Sequence, residues 1–185
     1  MRTGALLLLA GLAAPVHAAD NRTWPIDSAA SKARFSVHLR LPVKTQGQFR
    51  TVEGELQALP NLQYAVRVQL DARQLQMSGP DWIQRVTQSP AFLNTAAHPL
   101  IRFRSAPFSQ QVLISGGSIE GVLSLRGQSR TVAFTVSPAA CQWPGVNCPI
   151  QAWGQVNRRD FGMDAYRFSV KDEVEFQFQL TWRHD

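Results

Sequence analysis

The sequence predicts an all-β protein, an antiparallel barrel with a short helical insertion. Three observations carry this expectation. Residues 174–182 alternate strictly, with Val174, Phe176, Phe178, Leu180 and Trp182 on one face and Glu175, Gln177, Gln179 and Thr181 on the other, the period of two of a strand with one buried face. Similar alternation recurs in short stretches separated by Gly and Pro turns along the whole chain. A terminal strand this apolar also needs partners on both edges, and a barrel supplies them by pairing the last strand with the first.

The N-terminus sets the compartment. Residues 1–18 read as a secretory signal, with Arg2 as the positive region, an apolar run over residues 5–14 and a small-residue cleavage site after Ala18. That run is too short to span a bilayer, and no cysteine follows it where a lipid anchor would attach. Cleavage leaves residues 19–185 as one exported, soluble domain, large enough to bury about two-thirds of its unfolded surface. The expected location is the periplasm.

Taken in order, Trp24-Pro25-Ile26-Asp27 begins a short first strand. Residues 33–39 alternate Ala33, Phe35, Val37 and Leu39 against Arg34, Ser36 and His38. Residues 46–59 form an extended segment in which Gly47 and Gly54 mark bends. After the turn at Leu59-Pro60-Asn61, residues 61–71 place Leu62, Tyr64, Val66, Val68 and Leu70 on one face.

The period then changes. Ser78-Gly79-Pro80-Asp81 starts a helix over Trp82-Ile83-Gln84-Arg85-Val86, with an early proline and an acid in the first turn. Ser89-Pro90 closes it and opens a second short helix through Leu93. Strands resume at residues 100–105, 110–115 and 118–125, the last two joined by Gly116-Gly117. The turn Arg126-Gly127-Gln128-Ser129 leads to residues 130–136. With the strands at 151–157 and 174–182 the count is about eight to ten.

Cys141 and Cys148 flank Gln-Trp-Pro-Gly-Val-Asn, and an even count at this spacing in an exported chain points to a disulfide. We expect the loop, which carries Trp143, to fold against the barrel or cover one end, so that losing the bridge speeds ligand exchange. No metal site is expected, because His38, His98 and His184 are far apart in sequence. Net charge is +6, and of nineteen basic residues only Lys32, Lys44 and Lys171 are lysines. An arginine-rich surface suits phosphates, carboxylates and anionic membrane faces. The arginines are scattered over separate strands, which argues against nucleic acid. No Gly-x-Ser-x-Gly, metal-spaced histidine pair or phosphate loop is present, so no catalysis is expected.

Several phrases in order resemble the YceI-like family of exported lipid-binding proteins: Trp24-Pro25-Ile26-Asp27, Phe35-Ser36-Val37, Gly47-Gln48-Phe49, Phe92-Leu93-Asn94 before residues 98–105, residues 121–127, Asn157-Arg158-Arg159-Asp160-Phe161-Gly162-Met163 and the last strand. Residues 77–81, residues 127–131 and the cysteine loop depart from the family's pattern. The resemblance implies a lipocalin-like barrel of about eight strands whose apolar cavity holds an isoprenoid chain, a quinone or polyprenyl tail, with no other cofactor. The lining expected on this basis is Phe35, Val37, Phe49, Leu56, Val66, Val68, Phe103, Leu123, Phe134, Phe176 and Phe178, with Trp82, Phe92 and Phe161 near the ends. Small residues, Gly54, Gly121, Ala152 and Gly154, would leave room for the guest. Asn157, Arg158 and Asp160 are candidates for holding a polar head group, and an Arg–Asp pair pinning the connection explains them equally well.

The expected function is a periplasmic isoprenoid carrier, monomeric or homodimeric. The alternative is an interaction module, packed solid, whose arginine-rich exterior docks to anionic membrane or an acidic partner. A continuous void inside the barrel separates the two.

Overall fold

A computed structural model describes residues 22–40 and 44–183; the signal expected at residues 1–18 and His184 lie outside them. Among the described residues the strands are β1 (Thr23–Pro25), β2 (Lys32–Leu39), β3 (Lys44–Phe49), β4 (Glu53–Leu59), β5 (Gln63–Asp71), β6 (Leu75–Met77), β7 (Leu100–Ser105), β8 (Phe108–Ser109), β9 (Gly117–Leu125), β10 (Gln128–Val136), β11 (Ile150–Asn157) and β12 (Val170–Leu180). Helices are α1 (Asp81–Gln88) and α2 (Gln110–Ser115), with 3-10 turns at Ala72–Gln74 and Arg158–Phe161. The strands form one antiparallel sheet in the order β1, β4, β5, β7, β9, β10, β11, β12, β2, β3, β6, with β8 paired to β5. Twelve strands exceed the expected eight to ten because residues 46–59 divide into two strands and because β6 and β8, only three and two residues long, add little hydrophobic pattern.

The ladder is an open path that curls into a barrel with two seams. At one, Ile26 bridges Trp182, Asp27 N–H donates to the Thr181 carbonyl at 2.8 Å and Arg183 N–H to the Pro25 carbonyl at 2.8 Å. At the other, the chain itself crosses from β5 through Ala72–Gln74 into β6, which pairs with β3. The last strand therefore does find early partners. Its full ladder is with β2 and not with β1.

β12 behaves as its alternation demands: Val174, Phe176, Phe178 and Leu180 are buried and the intervening residues face outward. Three local expectations change. Residues 110–115 are helical, because the Ser109 hydroxyl accepts from Gln111 N–H at 3.1 Å and Gly116, at φ 80°, ends the helix; the apolar run Val112-Leu113-Ile114 had suggested a strand. Residues 46–59 divide into β3 and β4 rather than one bent strand. The second helix expected through Leu93 is a series of turns held by backbone bonds to Thr87, Gln88 and Ser89. The expected β9–β10 turn forms with two central residues, Arg126 at φ 51° and Gly127 at φ 72°, the left-handed pair a tight hairpin requires.

The covalent seam depends on Asp71. Its carboxylate accepts from Arg73 N–H at 2.9 Å, from Arg73 Nε at 3.0 Å and from Nη2 at 2.8 Å. These bonds, the side-chain one foremost, hold its pKa below the ordinary 3.8 against the opposing effect of burial. A carboxyl with a lowered folded-state pKa stabilises the fold above its unfolded value and loses that contribution as pH falls through the folded value. An Asp71→Asn variant is therefore expected to be less stable than the parent at pH 7. The difference should shrink as pH falls below 3.8, read from urea midpoints across that range.

Candidate ligand-binding site

The barrel interior is divided into a packed half and a hollow half. In the packed half, Phe103 and Phe134 meet edge to face with centroids 5.0 Å apart, and Phe134 meets Phe178 the same way at 5.3 Å. Such pairs add about 0.5 to 1.5 kcal/mol each beyond the burial of their area. The space for the rings comes from glycines. A Cβ at Gly121 would stand 2.6 Å from the Phe103 ring, and one at Gly154 2.7 Å from Phe134. The expectation that Gly121 and Gly154 leave room for a guest is therefore corrected, since that room is filled by phenylalanine. Gly54 likewise sits against the Arg67 carbonyl, and Ala152 packs on the core.

Beyond this floor lies a cavity of about 700 Å³. Of the expected lining, Phe35, Val37, Phe49, Trp82, Phe92 and Phe176 surround it. Leu56, Val66, Val68, Phe103, Phe134 and Phe178 surround instead a void of about 50 Å³ in the packed half. Leu123 and Phe161 are buried and line neither space. Among the wall residues that sequence reasoning missed are Met77, Ile83, Val86, Ile101, Met163 and Val174. Ile83 and Val86 share a helical face with Trp82, a periodicity that could have found them. A barrel packed solid, the alternative, is not what these residues form.

α1 roofs the cavity without being buried. None of its residues is fully covered, and Trp82 remains 56% exposed. Side-chain amides tie it to the outer edge of β6: Gln84 Oε1 accepts from Met77 N–H at 2.8 Å, Gln84 Nε2 donates to the Leu75 carbonyl at 2.6 Å, and Gln88 Nε2 donates to the Arg73 carbonyl at 3.1 Å.

One charged group is built deep into the wall. Arg158 is 1% exposed, lines the cavity, and carries the Phe92 ring 5.8 Å from its guanidinium. Its Nη1 donates to the carbonyls of Met163 at 2.5 Å and Ala165 at 2.7 Å, and Nε to that of Lys171 at 3.2 Å. Nη2 faces Asp172 Oδ1 at 3.2 Å, an ion pair in which neither atom has a well-aligned hydrogen bond. The other two head-group candidates stand apart. Asn157 is exposed and caps the 3-10 turn by accepting from Arg159 N–H at 2.9 Å, and Asp160 is exposed on that turn. Asp160 is not the acid of the expected Arg–Asp pin; Arg158 pairs instead with Asp172, at the start of β12.

Cys141 and Cys148 are bridged. Their loop folds onto the far end of the barrel, where Trp182 N–H donates to the Gly145 carbonyl at 2.7 Å. Trp182 borders the small void in the packed half, so the loop covers the end opposite the cavity, and Trp143 stays 65% exposed.

The family model for the YceI-like domain matches residues 24–182. No curated protein matches the chain. Among solved structures, BcnA of Burkholderia cenocepacia is similar with a TM-score of 0.70 at 18% identity, over 84% of this chain and 98% of that one. A polyisoprenoid binding domain from Saccharophagus degradans, implicated in plant cell wall breakdown, is similar at 0.64 and 13% identity, over 88% and 98%. The YceI protein of Campylobacter jejuni is similar at 0.52 and 12% identity, over 75% and 85%.

Replacing Arg158 by Met would leave three carbonyls without their donor and Asp172 with only the weaker pairing to Arg159 Nη1 at 3.8 Å. Because Asp172 is partly exposed, we expect a loss of about 3 kcal/mol in urea unfolding, near the lower end for a broken buried pair. A Cys141→Ser, Cys148→Ser variant should lose about 2 to 3 kcal/mol by chain entropy. Uptake of an apolar dye by the cavity should be unchanged, since the loop lies at the far end.

Proposed function

The chain belongs to the YceI-like family, and on that premise we propose that its cavity holds the hydrocarbon chain of an isoprenoid lipid, a quinone or polyprenyl tail, which the protein carries through the periplasm. The observation that supports this most is the 700 Å³ cavity with an aliphatic and aromatic wall. Its volume lies within the range of dedicated ligand sites, roughly 300 to 1,000 Å³. The similarity in fold to a domain described as polyisoprenoid-binding points the same way.

Size limits the guest. Allowing about 30 Å³ for each carbon-sized group, the share of a water molecule, 700 Å³ takes on the order of twenty carbons, or about four isoprene units. Burial supplies about 0.8 kcal/mol per methylene-sized group against an association cost of roughly 4 to 15 kcal/mol. One isoprene unit is too little to hold and four suffice. A longer tail, or its head, leaves through the mouth under α1. The Arg158 guanidinium, already engaged by three carbonyls and Asp172, suits a neutral acceptor such as a quinone carbonyl better than it suits a second anion.

Native mass spectrometry of the exported protein, followed by solvent extraction, should recover a prenyl lipid. Geranylgeraniol added to stripped protein should bind, and a Val37→Trp variant, which pushes an indole into the cavity and shortens the space left for the chain, should fold and bind it at least about tenfold more weakly. Recovery of no lipid together with no uptake of the prenol excludes the proposal.

A further inference from the structure

Two sets of contacts hold the described part of the rim around the cavity's mouth. Thr45 Oγ1 donates to the Ser78 carbonyl at 3.4 Å and the Ser78 hydroxyl accepts from Gln46 N–H at 3.0 Å, which joins β3 to the approach of α1. Arg40 N–H donates to the Ser169 carbonyl at 2.9 Å and Arg40 Nε to the Arg167 carbonyl at 3.2 Å, which joins the end of β2 to residues 164–169. Tyr166 stacks on Phe92 at 5.5 Å and 12°, and both line the cavity that α1 roofs. Tyr166 holds φ at 58°, a left-handed conformation that a bulky residue rarely adopts.

This rim carries apolar side chains that the described residues leave uncovered. Phe168 is 91% exposed, Trp82 56% and Tyr166 52%. Around them stand the exposed cations Arg40, Arg85 and Arg167, while Lys44 is engaged with Glu175 at 3.5 Å and Asp81 offsets part of the charge. Aromatic rings interleaved with arginines match a bilayer interface, where rings lie at headgroup depth and cations meet lipid phosphates. An acidic protein partner would account for the arginines but would not need three exposed rings at the entrance to an apolar cavity.

We propose that the rim docks the protein, mouth first, onto an anionic lipid bilayer, with Phe168, Tyr166 and Trp82 in the interface and Arg40, Arg85 and Arg167 against the phosphates. The proposal rests on the cavity being a lipid site, because docking brings the mouth to where such lipids reside. Its test does not.

The mature protein is sedimented with phosphatidylcholine vesicles with and without phosphatidylglycerol. Binding is expected to the anionic vesicles and to weaken as salt rises. An Arg40→Glu, Arg167→Glu variant should bind them at least about tenfold more weakly, and Phe168→Asp should also lose binding. Trp143→Ser, at the opposite end, should bind as the parent does. Uptake of geranylgeraniol without vesicles is measured on every variant and should be unchanged by Phe168→Asp, since Phe168 does not line the cavity. No binding by the parent, equal loss in Trp143→Ser, or loss of prenol uptake together with vesicle binding in Phe168→Asp would overturn the proposal. So would a dimer that Phe168→Asp dissociates in a protein that ignores vesicles. Vesicle binding with no prenol uptake by the parent would leave docking standing and remove the carrier function alone.

Discussion

The edge-to-face contacts of Phe103, Phe134 and Phe178 are the constraint on which the rest of this barrel depends. A barrel of this kind can fill itself with side chains or hold a guest, and a protein interior tolerates few voids larger than a water molecule. Here both solutions occupy one barrel. The rings, fitted against Gly121 and Gly154, close one half to a void of about 50 Å³ and leave the other half open at about 700 Å³. The packed floor supplies core that the hollow half cannot, and it sets the depth to which any guest can reach.

The hollow half needs other means of holding its shape, and these are polar. Arg158 draws residues 163, 165 and 171 around one guanidinium, so the connection between β11 and β12 is shaped by donated hydrogen bonds where no apolar core is available. A buried guanidinium is tolerable because its donors meet carbonyls and an acid, and its planar fork spans several acceptors as a lysine could not. The same economy recurs at the covalent seam, where Asp71 organises the turn between β5 and β6.

Much of the fold was legible because the strands bury one face. β12, β10 and β9 alternate cleanly and were found. The short strands β6 and β8 were obscure for want of pattern. Helix α2 was misread because Val112 and Ile114 are β-branched and favour strands, whereas the decisive features, the Ser109 cap and Gly116, act at the two helix ends. The site was half legible. Inward-facing positions on strands could be listed, but a period of two gives the face of a residue and not its height along the barrel axis. Phe176 and Phe178 share a face, yet Phe176 borders the cavity and Phe178 the packed half. That distinction rests on register and on which rings meet, both long-range facts.

The amide latch of α1 has a consequence for solubility. β6 is the last strand of the sheet, and its outer backbone groups would be a template for pairing with another chain. Gln84 occupies the Met77 N–H and the Leu75 carbonyl, standing in for a neighbouring strand. Without these two bonds a hydrogen-bonding edge would be bared. Gln84 thus serves two ends at once, holding α1 over the cavity and shielding the free edge of β6 from intermolecular strand addition.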